Sequence, residues 1–96
     1  MISTHVLDTE AGRPATGVKV SLFRGQDLIS EQNTDEDGRI AELAPDGIEP
    51  GLYRLVFEVG GFFQRVEVSI RIADADRDYH VTLLVSPFSC VTYHGS

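Results

Sequence analysis

Leu52-Tyr53-Arg54-Leu55-Val56-Phe57-Glu58-Val59, followed beyond Gly60-Gly61 by Arg65-Val66-Glu67-Val68-Ser69-Ile70-Arg71-Ile72, decides the fold class. In the first run Tyr53, Leu55, Phe57 and Val59 share one face. In the second, Val66, Val68, Ile70 and Ile72 alternate with Arg65, Glu67, Ser69 and Arg71. Period two marks a strand with one side in a core and the other toward water, because successive strand side chains point to opposite faces. Gly60-Gly61 breaks the pattern, so the two runs read as strands joined by a tight hairpin.

Toward the N-terminus, Ala44 to Gly51 is a loop by composition, and Thr34-Asp35-Glu36-Asp37-Gly38-Arg39 is a turn. Aspartate side chains can close that turn on the backbone, and Gly38 supplies a positive φ. Arg39 then sits at a turn-to-strand junction. Asp27 to Asn33 reads as a weaker strand near an edge. Val18, Val20 and Leu22 alternate with Lys19, Ser21 and Phe23 in another strand. Ile2 to Leu7 is a short strand before the turn Asp8 to Pro14; Ile2, Thr4 and Val6 point one way, and Ser3, His5 and Leu7 the other.

Toward the C-terminus, Ala73 to Asp78 turns the chain into Tyr79-His80-Val81-Thr82-Leu83-Leu84-Val85. Tyr79, Val81, Leu83 and Val85 make one apolar face, while the opposite face carries His80, Thr82 and Leu84. A strand apolar on both faces needs cover on both. The chain is too small to supply a second layer there, so a partner subunit is expected over the face bearing His80. Ser86-Pro87 ends the run, and Cys90 to Tyr93 adds a last short strand. No helical period of useful length occurs. Seven to eight short strands joined by Gly, Pro and Asp turns indicate an all-β, antiparallel sandwich with Greek-key connections.

Ninety-six residues make a single domain spanning 1–96, and with no tryptophan its core must rest on Val, Leu and Ile. A formal charge of −7 repels phosphate backbones and anionic lipid, which argues against nucleic-acid and membrane partners. The lone Cys90 has no internal disulfide partner and reads as a small filler. No secretory leader or transmembrane run is apparent, so the expected compartment is cytoplasmic.

His5, His80 and His94 are the candidates for proton transfer, since an imidazole titrating near pH ~6.5 can take a proton from water and return it to a leaving nitrogen. Arg39, permanently cationic and planar, suits an anionic or carbonyl-rich ligand. A histidine taken alone is more often structural, and an arginine after a turn is more often a surface residue. Three histidines can hold zinc, but no His-Glu-x-x-His spacing occurs, and no metal site is expected. Asp74-x-Asp76-x-Asp78 begins like a calcium loop; Tyr79 and Val85 stand where that loop needs glycine and glutamate, leaving a solvated acidic turn. The hydroxyl or carboxylate of Ser96 is expected to bind or orient a ligand.

The blocks Ser3-Thr4-His5-Val6-Leu7-Asp8, Gly12-Arg13-Pro14, Asp37-Gly38-Arg39, Gly51-Leu52-Tyr53-Arg54-Leu55, Tyr79-His80-Val81, Leu83-Leu84-Val85-Ser86-Pro87-Phe88 and Tyr93-His94-Gly95-Ser96 resemble the transthyretin-like 5-hydroxyisourate hydrolases of urate degradation. The middle blocks recur in many prealbumin-like sandwiches; the two ends are the specific part. The resemblance implies a transthyretin-like β-sandwich and a homotetramer with active sites at the dimer-dimer interface. It implies His5, Arg39 and His80 as the catalytic trio, with Tyr93 and Ser96 shaping the substrate pocket. The implied reaction is the cofactor-free and metal-free opening of the six-membered ring of 5-hydroxyisourate to 2-oxo-4-hydroxy-4-carboxy-5-ureidoimidazoline.

Three departures stand out. His94 replaces the usual arginine of the terminal motif, Thr82 stands where proline is common, and a segment helical in relatives is missing between Val59 and Phe62. The rival readings are a non-catalytic transthyretin-like module holding a small aromatic ligand and a zinc hydrolase on the same scaffold.

Overall fold

The computed structural model describes residues 1–95, and every regular element in it is a strand. In chain order these are β1 (Ile2–Asp8), β2 (Arg13–Pro14), β3 (Lys19–Arg24), β4 (Asp27–Asn33), β5 (Arg39–Ile40), β6 (Gly51–Glu58), β7 (Arg65–Ile72), β8 (Tyr79–Val85) and β9 (Cys90–Gly95). The seven longer strands coincide with the runs of alternating side chains. The two-residue β2 lies in a stretch that reads as a turn, and β5 begins at the turn-to-strand junction expected at Arg39.

The strands form two sheets, one in the order β4-β3-β6-β7 and the other β2-β1-β8-β9, with β5 also paired to β1. Pairing is antiparallel throughout except between β1 and β8, which run parallel from Ile2↔Tyr79 to Asp8↔Val85. The expected antiparallel sandwich thus holds one parallel pair: the chain crosses from β7 in one sheet to β8 in the other and enters beside β1 in the same direction.

Between the sheets lies one apolar cluster built on Ile2, Val6, Val20, Leu22, Leu43, Leu55, Phe57, Ile72 and Leu83, all fully buried or nearly so. Each such side chain contributes about 1.5–3 kcal/mol relative to exposure. Truncating Leu55 to alanine would therefore cost about 2–5 kcal/mol through the lost contacts and the void. Thr4, on the same inward face, is tolerated because its hydroxyl donates to the Val81 carbonyl at 2.7 Å. Cys90 packs at the rim of this cluster, and burial pushes its thiol pKa up.

The turns behave as their composition requires. Asp35 closes the 35–39 loop by accepting, through Oδ1, from the amides of Asp37 and Arg39, both at 2.9 Å. Asp74 accepts from the amide of Asp76 at 2.9 Å, so the acidic turn satisfies its own backbone. Residues 59–64 link β6 to β7 without a helix, and the amides of Val59 and Gly60 both donate to the Gln64 carbonyl. This short link leaves Phe62 almost wholly in solvent, at 82% exposure.

Candidate active site

Strand register assembles the site. Residues paired across neighbouring strands project to the same side, so the outward face of the β1-β8-β9 sheet carries two adjacent rows. One runs Arg39, His5, Thr82, Tyr93, and the other Ser3, His80, Gly95. With strands about 4.8 Å apart and same-face residues about 6.7 Å apart along a strand, the backbones of His5 and His80 are roughly 8 Å from each other. Three side chains separated by long stretches of sequence thus share one patch. A slip of one residue between β1 and β8 would turn His80 into the core, so the buried face of β8 protects the site's geometry.

Arg39 reaches this row because Gly38 lets the turn press against β1. Gly38 has φ of 73°, and its carbonyl accepts from the Val6 amide at 2.7 Å. A Cβ on residue 38 would collide with the Val6 carbonyl oxygen. Beyond the turn, Arg39 pairs directly with His5. Its guanidinium takes no part in the ion pairs found among the described residues and is free to meet a ligand.

The two histidines differ. His80 is half-buried, and Nδ1 lies 2.7 Å from the Ser3 hydroxyl. Burial is the main cause lowering its pKa from the ordinary histidine value, with His5, Arg39 and His94 adding unfavourable charge. A neutral imidazole results. On His5, Nε2 is shut off from solvent and has no hydrogen-bond partner among the described residues.

Tyr93 lies on the same face at 53% exposure, next to Thr82. Thr82 itself is buried, at 3% exposure, between its row neighbours. His94 points the other way. It pairs with inward-facing Val81 and stacks on Tyr79 with ring centres 5.8 Å apart, so the departure from the usual terminal arginine falls behind the face that carries His5 and His80. Ser96 lies outside the described residues. Among the described residues no three His, Cys, Asp or Glu side chains gather as metal ligands.

Sequence reasoning missed Ser3 and Gly95. Alternation placed Ser3 on the face of His5, but its bond to His80 depends on the parallel β1-β8 pairing, which no local pattern announces. One cleft lies at the end of the sandwich near Val18, Phe63 and Pro87, and another at the open edge between β7 and β9, where Tyr93 and His94 help line it. The face with the histidines is open.

A model of the HIUase/Transthyretin family matches residues 2–95. The chain belongs to the HIUase/Transthyretin family. Within this family it is 40% identical to 5-hydroxyisourate hydrolase 2 of Rhizobium meliloti, over an alignment covering 99% of this chain and 95% of that protein. It is 39% identical to 5-hydroxyisourate hydrolase of Pseudomonas aeruginosa, covering 99% and 90% of the two chains. The solved 5-hydroxyisourate hydrolase of Klebsiella pneumoniae superposes with a TM-score of 0.92 at 34% identity, covering 99% of this chain and 98% of that one. A structure of (S)-allantoin synthase superposes at 0.87 with 31% identity, over 99% of this chain and 43% of the other. The transthyretin-like sandwich expected from the sequence is therefore the observed fold. The alignment with the Rhizobium relative spans 114 positions against 96 residues here, so that relative carries residues this chain lacks.

Proposed function

We propose that this family member hydrolyses 5-hydroxyisourate to 2-oxo-4-hydroxy-4-carboxy-5-ureidoimidazoline, a step of urate degradation, in the cytoplasm. The observation that carries the reading is the convergence of His5, Arg39 and His80 on one outward sheet face. The names of relatives matched over nearly the whole chain supply the substrate.

In this reading His80, neutral and fixed through Nδ1, takes a proton from water at Nε2 while the water oxygen bonds to the ring carbonyl carbon. The oxygen of that carbonyl becomes an alkoxide, and the Arg39 guanidinium stabilises it. When the alkoxide re-forms the carbonyl, the ring C–N bond breaks. The proton held by His80 passes to the leaving nitrogen, and the new acid ionises to a carboxylate. His5, paired with Arg39 in the same row, helps position the substrate, with Tyr93 and Ser96 bounding the pocket. The chain runs this chemistry without metal or cofactor.

An open sheet face does not exclude water, so the pocket needs a second wall. We assign that wall to another copy of the chain, in a homotetramer with active sites at the dimer-dimer interface. The exposed apolar side chains of Val91 and Tyr93, with half-buried Leu84, support this assignment.

Freshly generated 5-hydroxyisourate should lose its ultraviolet absorbance far faster with the protein than in buffer. His80→Ala and Arg39→Ala should each lower kcat/KM by about two orders of magnitude or more. Wild-type decay at the buffer rate would remove the proposed activity and favour a binding role. Loss with chelator and recovery with zinc would favour the zinc hydrolase.

A further inference from the structure

We propose that Ser3 and Gly95 are positioning residues, which from the two strands flanking β8 hold the His80 imidazole upright in a single plane. The inference rests on the reading of His80 as the group that moves the proton. Ser3, His80 and Gly95 form one row across β1, β8 and β9, and the ring stands between its two neighbours. On one side the Ser3 hydroxyl meets Nδ1 at 2.7 Å. On the other, a Cβ added to Gly95 would lie 2.7 Å from Cδ2 and 3.6 Å from Cγ of the same ring.

The first distance is a hydrogen bond, and the second is closer than carbon atoms tolerate. Any side chain at 95 would therefore push the imidazole off its present plane and against Ser3, distorting the hydrogen bond at Nδ1. Gly95 has no positive φ that would otherwise require glycine, so space for the ring is what its missing side chain provides.

The identity of the partner matters as much as its position. With Nε2 as the basic atom, the neutral ring carries its hydrogen on Nδ1 and donates it to Ser3 Oγ. When Nε2 takes a proton, Nδ1–H still donates, so the bond survives the whole proton cycle. A hydroxyl does this without adding charge. A carboxylate in its place would stabilise the imidazolium and make the ring slow to return its proton. Among the described residues the charged or titratable groups acting on His80 are His5 from β1, Arg39 from β5 and His94 from β9, none of them anionic.

The test pairs turnover with nuclear magnetic resonance of His80 in the absence of substrate, in folded variants verified by circular dichroism. Ser3→Ala and Gly95→Ala should each lower kcat about ten-fold with little change in KM, and both should alter the Nδ1 and Nε2 nitrogen shifts of His80. Ser3→Thr, which keeps the hydroxyl, should retain most of kcat and the wild-type shifts. Ser3→Asp should move the His80 titration and the acid limb of the rate profile to higher pH. Unchanged His80 shifts in both alanine variants would overturn the proposal, as would a Ser3→Thr variant that loses kcat as far as Ser3→Ala does. Because the resonance arm needs no turnover, it decides the positioning role even if 5-hydroxyisourate proves not to be the substrate.

Discussion

An imidazole that is half-buried among cationic neighbours gives up its proton early, and for His80 that means a base already uncharged at neutral pH. Activity that needs neutral His80 should fall as pH drops through its folded pKa. The midpoint of the acid limb of kcat/KM should therefore lie below the ordinary value of ~6.5. Arg39→Met removes one of the charges that lower the pKa, so the His80 titration followed by magnetic resonance should shift upward. The same shift bears on stability. Unfolded His80 binds its proton at a higher pH than folded His80, so this contribution is complete above ~6.5 and is lost as pH falls toward the folded pKa. At this scale much was legible in the sequence. Alternation put His5 and His80 on faces turned away from the core, and the motifs near the two ends singled out these histidines, while Arg39 came from the less specific Asp37-Gly38-Arg39 block. What stayed hidden was the environment of each ring, since Ser3 and Gly95 matter only through partners distant in the chain.

Among the elements, the junction between the 35–39 turn and β1 places the cation. Gly38→Ala would combine a φ of 73° with an overlap onto the Val6 carbonyl oxygen, and either the turn or β1 must move. The expected cost is about 1–3 kcal/mol, read as a lower midpoint in urea, together with a fall in kcat/KM as Arg39 leaves its row. The long strands were readable because each has a buried face and enough residues to show it. Two features escaped for physical reasons. The pairing of the two-residue β5 onto β1 has no period to announce it, and the parallel β1-β8 pair is a property of how the sheets are connected. The hairpin over residues 59–64 was readable, because Gly60-Gly61 leaves no helical run between two strong strands.

For the whole molecule, light scattering should return about four times the 10.6 kDa chain mass if copies close the open face. Val91→Lys sets a charge on that face beside Leu84 and should split the assembly and depress turnover while leaving the far-ultraviolet spectrum intact. The two-sided apolarity of β8 is what raised the expectation of a covering subunit; a single sequence carries no sign of the angle at which one would pack. The parallel pair has a further consequence. Ser3 and His80 are 77 positions apart, and every contact between β1 and β8 spans a comparable distance. During synthesis the first strand waits beside an empty slot while the rest of the chain leaves the ribosome, its backbone edge bare and able to join foreign strands. Closing so long a loop late makes this sheet the slow step of folding, and chaperone demand should be greatest just before its last hairpin emerges.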